Sequence, residues 1–274
     1  MRRKLVFLDI DGTLTSPGGT TPPESAIRAI RRAREKGHLL FLCTGRNYGL
    51  MFPLLAYGFD GAIASAGGYV ACGDKVIYDH PMEDPLLRET METLSAHGIC
   101  YTLEAREKLF SDPTFEDRML ALQRGNSELL RWQRAAGDGF VIHPLSEYDG
   151  SPVYKIVFMC EDMRQLEAAR PALVRSFTVV IQNFSLFTAV SGELVNRCFN
   201  KGSGVRLAAE YLDFPLEDTI GFGDSMNDLE MIETVKLGVC MANGSEELKQ
   251  HSHLVCPSVE ADGLAWAFEH LGLL

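Results

Sequence analysis

The chain has 274 residues, of which 46% are hydrophobic and 23% charged, the composition of an ordinary globular protein long enough for two cores. Its formal charge of −11 argues against nucleic acid or an anionic membrane as partner, so an anionic ligand would need local cations. Seven cysteines without CxxC spacing fit a reducing compartment and argue against structural zinc. Arg2, Arg3 and Lys4 mimic the start of a signal peptide, but Asp9 interrupts the apolar stretch behind them. No run approaches the ~18 apolar residues of a membrane span, and a cytoplasmic location is expected.

Lys4-Leu5-Val6-Phe7-Leu8-Asp9-Ile10-Asp11-Gly12-Thr13 begins as an apolar run of strand length and ends in two carboxylates one residue apart, followed by a turn glycine. Alternation along a strand puts Asp9 and Asp11 on one face, and in an open parallel sheet the C-terminal strand ends face the ligand crevice. A divalent cation such as Mg²⁺ relieves the repulsion of such a pair and neutralises a bound phosphate. The plainer alternative is an acidic turn with Thr13 as helix cap.

Pro22-Pro23-Glu24 opens a helix through Lys36, with Ile27, Ile30 and Ala33 on one face and Gly37 as its stop. His38 to Cys43 reads as a buried strand ending at Thr44-Gly45-Arg46 before a helical segment. A third strand is expected over 61–65, and a hairpin over 69–78 around Gly73-Asp74. From Met82 the pattern changes, with an irregular charged stretch over 112–148. Strands are expected at 153–159, 177–181 and 186–190, with a helix over 162–175. The first pattern then resumes: helix 202–212, strand 219–222, helix 227–233, strand 237–241, and two helices, 246–250 and 263–271, flanking a strand at 254–256. Such alternation points to an α/β fold with a largely parallel sheet.

A second acidic cluster lies in Gly221-Phe222-Gly223-Asp224-Ser225-Met226-Asn227-Asp228, again after an apolar strand. Gly221-x-Gly223 is only a fragment of a dinucleotide fingerprint, since Met226 occupies the third glycine position, and no Gly-Lys dipeptide of a P-loop occurs. Thr44 and Lys201, each at an element terminus, are ordinary taken singly. Together with Asp9, Asp11 and Asp224 they make a phosphoryl-transfer set: a hydroxyl donor, a neutralising cation, and carboxylates for Mg²⁺.

Asp9-Ile10-Asp11-Gly12-Thr13, Thr44-Gly45-Arg46, Lys201-Gly202 and Gly223-Asp224-Ser225-Met226-Asn227-Asp228 resemble, in order, the four motifs of haloacid dehalogenase (HAD) superfamily phosphatases. The stretch between the second and third motifs is similar to the α/β cap of the Cof-like, class IIB branch, as are Met241-Ala242-Asn243-Gly244 and Asp262-Gly263 to its C-terminal pattern. The resemblance implies a Rossmann-like HAD core of residues 1–81 and 190–274, with mainly parallel sheet, and an inserted α/β cap of residues 82–189 that selects substrate. It implies that Asp9 attacks phosphorus to form an aspartyl-phosphate and that Asp11 acts as general acid and then base. Mg²⁺ is then held by the Asp9 and Asp224 side chains and the Asp11 main-chain carbonyl, leaving the Asp11 carboxyl free. Thr44, Gly45, Lys201 and Asn227 contact phosphate or substrate, and Asp228 and Arg46 brace the site from behind.

The expected function is a Mg²⁺-dependent phosphatase of small phosphorylated metabolites, sugar phosphates foremost, acting as a monomer. A phosphomutase or other phosphotransferase, and a non-catalytic regulatory protein on the same scaffold, are the alternatives. The aspartate at position 11 separates the chain from ion-pumping relatives, which carry threonine there. Two departures stand out: Ala66-Gly67-Gly68 replaces the usual Asn-Gly-Ala, and 195–200 lacks proline. Cys43, His143, His251, His253, Trp132 and Tyr148 are read as structural.

Overall fold

The structure, a computed structural model, describes residues 2–115, 141–182 and 190–274. They form two compact units: Met1–Asp79 with Phe199–Leu274, and His80–Cys198.

The first unit is built on an eight-stranded sheet of β1 (Leu5–Leu8), β2 (Leu39–Cys43), β3 (Gly61–Ala64), β4 (Tyr69–Cys72), β5 (Lys75–Asp79), β12 (Thr219–Gly223), β13 (Leu237–Met241) and β14 (Leu254–Cys256), in the order β14-β13-β12-β1-β2-β3-β4-β5. The run from β14 to β3 is parallel, and β4 and β5 return antiparallel as the expected hairpin. β1 is fully buried, which is why it reads as a continuous apolar run instead of an alternation. The helix Glu24–Glu35 buries Ala26, Ile27, Ala29, Ile30 and Ala33 at helical spacing. Gly37 behind it takes φ +88°, a left-handed stop that suits glycine.

β1 lies between β2 and β12 and parallel to both. The chain thus leaves β1 towards one side of the sheet and returns through β12 on the other, a topological switch point whose crevice opens at the carboxyl strand ends. The loops after β1, β2, β12 and β13 share that edge. Two expected helices are shorter than their patterns: after Arg46 a helix spans only Tyr48–Met51 before a 3₁₀ stretch with Pro53, and 226–228 is 3₁₀, the helix proper being Leu229–Thr234.

The second unit has a six-stranded sheet of β6 (Cys100–Ala105), β7 (Leu109–Ser111), β8 (Ile142–Pro144), β9 (Val153–Cys160), β10 (Phe177–Gln182) and β11 (Val190–Asn196), in the order β10-β11-β9-β6-β7-β8. Leu87 and Leu94 of helix Asp84–Ala96 and Leu166 and Leu173 of helix Met163–Leu173 cluster with Leu103, Ile156, Phe158 and Leu194 of one sheet face. The other face carries Thr102, Glu104 and Lys155, all buried. Tyr148 packs edge-on against Phe110 and donates its hydroxyl to the Ser151 carbonyl, a packing role, whereas Trp132 lies outside the described residues.

β11 runs over Val190–Asn196, whereas the strand expected at 186–190 lies, apart from Val190, outside the described residues. β11 pairs antiparallel with β9 and β10, so 190–198 belong with the second unit and its border falls after Cys198, not after 189. Val190-Ser191-Gly192-Glu193-Leu194-Val195 mixes polar and apolar positions because its faces meet different surroundings, a pattern that a search for a continuous apolar core strand misses.

Candidate active site

The end of β1 delivers Asp9, whose amide donates to the Phe222 carbonyl of β12 at 2.9 Å; the side chain is buried. Lys201 is the first residue of the helix Lys201–Tyr211, whose start is fixed by an Asn200 cap accepting from the Ser203 amide. Its ammonium is buried and donates to Asp9 Oδ1 and Asp228 Oδ1, both at 2.6 Å, and to Asn227 Oδ1 at 3.4 Å. Asp228 uses its other oxygen to accept from the Asp224 and Ser225 amides at 3.0 and 3.1 Å. It thereby braces both the acidic loop and the lysine.

Glycine is required where the loops converge. A Cβ on Gly12, which sits at φ +87°, would fall 2.3 Å from Asp224 Oδ2, and one on Gly223 would fall 2.5 Å from the Asp228 Cβ. Thr13 donates its hydroxyl to Asp224 Oδ1 at 3.3 Å. Asn243, beyond β13, donates to the Gly12 carbonyl at 2.8 Å and accepts from the Val259 amide at 3.1 Å, tying three loops together. Asn243 and the Thr13 bond were not singled out for the site from sequence; the Asn-Gly turn signal at 243–244 marks only a loop.

Carboxylate oxygens of Asp9, Asp224 and Asp228 lie within 4.8 Å of one another. Burial pushes Asp9 up to about 7 against the pull of Lys201, with Asp228 and Asp11 adding to the rise. Burial likewise pushes Asp224 up to about 8, helped by Asp9 and Asp228. Burial alone would lower Lys201, yet Asp228 and Asp9 outweigh it and hold the ammonium well above its usual range. Three carboxylates facing one ammonium leave surplus negative charge. A divalent cation with oxygen ligands meets that imbalance, so the donor set fits such an ion. It differs from the expected side-chain set, Asp9 and Asp224, in that Asp228 joins them.

Asp11 is engaged elsewhere. Its carboxyl accepts from Arg46 Nε and Nη2 at 2.8 and 2.7 Å and from the Gly18 amide at 2.9 Å. Arg46, 2% exposed, also donates to the Gly19 carbonyl. The sequence reading left this carboxyl free for proton transfer; here a two-pronged guanidinium pair occupies it, as the fork geometry of arginine favours.

The remaining residues sit at the same edge. Thr44 is buried, and its Oγ1 accepts from the Arg46 amide at 3.1 Å, leaving the hydroxyl hydrogen for an acceptor in the site. A Cβ on Gly45 would meet nothing within 4 Å among the described residues, so those residues leave open space beside Thr44. Asn227 is exposed, its Oδ1 taken by Ser225 and Lys201. Cys43 is buried and its thiol is pushed up by burial, an inert core residue. His253 accepts from the Gly238 amide, and His143 and His251 face Glu147 and Glu233; these histidines take structural places.

A family model for haloacid dehalogenase-like hydrolases matches residues 6–268. The chain belongs to that family. It is 30% identical to YkrA of Bacillus subtilis, with the whole of both chains covered, and 24% identical to the pyridoxal phosphate phosphatase YbhA of Escherichia coli over 99% of this chain and 100% of that one. The solved structure of BT4131, described as a HAD subclass IIB sugar phosphatase, matches with a TM-score of 0.76 at 22% identity, covering 99% of this chain and 100% of its own, a likeness of fold. This HAD-like hydrolase therefore combines a Rossmann-like α/β core with a second α/β unit. No helix among the described residues is long and apolar enough to cross a membrane.

Proposed function

We propose that the protein is a Mg²⁺-dependent phosphatase of small phosphorylated metabolites, with sugar phosphates the leading class, working through an aspartyl-phosphate on Asp9. The observation that carries this reading is the buried Lys201 ammonium, 2.6 Å from Asp9, with Asp224 and Asp228 beside the same carboxylate. Asp9 attacks phosphorus as the nucleophile. Lys201 holds the Asp9 carboxylate in place and offsets charge on the incoming phosphoryl group. Thr44 donates to a phosphoryl oxygen, and the open space at Gly45 admits the group. Asn227 contributes its amide hydrogens, and Arg46 steadies the Asp11 loop.

Asp9, Asp224 and Asp228 would hold the metal, which when bound supplies charge neutralisation for phosphoryl transfer; the Asp11 main-chain carbonyl completes the expected set. Asp11 leaves Arg46 and takes up a proton from solvent before turnover; it then protonates the leaving oxygen, and the resulting carboxylate takes a proton from the attacking water. The second unit, His80–Cys198, serves as the cap that selects the organic part of the ester. YbhA is named for pyridoxal phosphate, a small phosphate monoester, which supports this class for the present chain.

The test is a panel of phosphorylated metabolites assayed for phosphate release with Mg²⁺, run beside Asp9→Asn. Turnover in the wild type and its loss in the variant are expected. Activity surviving the substitution contradicts the covalent mechanism, and isomerisation of a sugar phosphate without phosphate release favours a mutase.

A further inference from the structure

The loop behind β3 contains two consecutive non-glycine residues in the left-handed region, Ser65 at φ +50° and Ala66 at φ +57°, followed by Gly67 at φ +110°. That region is unfavourable for residues with a Cβ and is borne best by asparagine or aspartate, neither of which stands here. Such strain persists where surrounding contacts over-determine it, and the contacts here are specific.

On one side the turn is bonded to the Thr44 loop. The Ser65 amide donates to the Arg46 carbonyl at 2.8 Å, the Ala66 amide to the Thr44 carbonyl at 2.9 Å, and the Thr44 amide to the Ile63 carbonyl at 2.8 Å. On its other side it abuts the start of the Lys201 helix. A Cβ on Gly67 would lie 2.2 Å from the Asn200 carbonyl oxygen, and one on Gly68 2.7 Å from the Phe199 ring. Asn200 is the cap of that helix. A single strained turn therefore spaces the hydroxyl donor from the ammonium.

We propose that Ser65-Ala66-Gly67 is a positioning element for phosphoryl transfer, a stiff left-handed wedge that sets the separation of Thr44 and Lys201. The proposal rests on the phosphatase reading above. None of the three side chains needs to touch substrate; the backbone conformation carries the effect. Alanine in a left-handed position gives up stability that glycine or asparagine there would return, yet glycine, followed by Gly67 and Gly68, would also loosen the wedge.

The test compares Ala66→Gly, Ala66→Asn and Gly67→Ala in the full chain, with melting temperature, kcat and KM for a phosphate ester, and the affinity for inorganic phosphate by calorimetry with Mg²⁺ present. Ala66→Gly is expected to raise the melting temperature by about 2–4 °C while kcat falls by about three- to tenfold. Ala66→Asn is expected to raise the melting temperature and return kcat to within about twofold of wild type. Gly67→Ala, which pushes on the Asn200 carbonyl, is expected to lower kcat by about 100-fold, to weaken phosphate binding, and to change KM less than kcat.

A merely structural turn would make activity follow stability, whereas here the two move in opposite directions in Ala66→Gly. Wild-type kcat in Ala66→Gly, together with a raised melting temperature, overturns the positioning role. Should Gly67→Ala fail to fold, the two Ala66 variants still decide. A wild-type protein with neither turnover nor phosphate binding contradicts the phosphatase reading itself and is distinguished by those two control measurements.

Discussion

Each unit of the molecule encloses a lysine between two carboxylates, and the two settings are built differently. In the second unit Lys155 lies 3.2 Å from Glu104 and 2.8 Å from Glu193. These side chains come from neighbouring strands, Glu104 directly opposite Lys155 in register. In the first unit Lys201 lies 2.6 Å from Asp9 and from Asp228, which arrive on separate loops at the strand ends, where Gly12 makes room for Asp224 and Gly223 for Asp228. The sheet trio is placed by ordinary strand pairing. The loop cluster adds a third carboxylate, Asp224, whose pKa is raised together with that of Asp9. Regular register thus braces, whereas converging loop ends gather surplus charge beside open space, the condition for binding a cation and a phosphoryl group.

The sharpest way to break this comparison is to remove both lysines in turn. Lys201→Met is expected to lower turnover by about 10³-fold or more in a protein that still folds. Lys155→Met leaves Glu104 and Glu193 without their buried cation and is expected to cost about 3–5 kcal/mol in denaturant unfolding of the second unit, with turnover of the folded protein staying within about tenfold. If Lys155→Met abolished turnover at unchanged stability, the two clusters would not differ in role.

The acidic cluster also makes a pH prediction. Asp9 and Asp224 have folded pKa values near 7 and 8, above the unfolded carboxylate value, so between the unfolded and folded values the native state binds more protons than the unfolded chain. Stability of the metal-free protein is therefore expected to fall as pH rises from about 4 towards 8. Added Mg²⁺ should raise the melting temperature more at pH 8 than at pH 5, because it replaces the protons. An equal Mg²⁺ effect at both values contradicts the cluster as the binding site.

Much of the site was legible because chemistry at strand ends leaves a local trace. An apolar run followed by Asp9, another followed by Thr44, and a third followed by Asp224 each advertise a loop at the carboxyl edge, and Lys201 joins them at a helix start. What escaped depends on partners far apart in the chain. Nothing near Asp11 reveals that Arg46 grips its carboxyl, or that Asn243 holds the Gly12 carbonyl. Asp228 was expected to brace; it accepts from Lys201 and from the Asp224 and Ser225 amides, and its oxygen also approaches those of Asp9 and Asp224, a convergence that sequence spacing does not encode. The border after Cys198 was missed because β11 pairs with strands of the second unit, and pairing is not written in a single segment.

The smallest expected effect lies at the opposite end of β2. His38 is buried, its Nδ1 accepting from the Lys4 amide at 2.9 Å and its Nε2 without a hydrogen-bond partner among the described residues. Burial lowers its pKa, and Lys36, Lys4, the N-terminus and Arg3 add to the shift. The native state thus favours the neutral ring, so this residue destabilises the fold as pH drops below about 6.5, where the unfolded chain takes up the proton first. His38→Asn is expected to soften the acid limb of the melting-temperature profile by about a degree or two, leaving values above pH 7 nearly unchanged.

The covalent role of Asp9 is tested most directly by acid-quenching the enzyme during turnover of an isotopically labelled phosphate ester with Mg²⁺ and mapping the label by mass spectrometry. A hydroxylamine-sensitive phosphoryl group on Asp9, absent from Asp9→Asn, is the predicted result. Wild-type turnover with no label on Asp9, or with label on another residue, would contradict it.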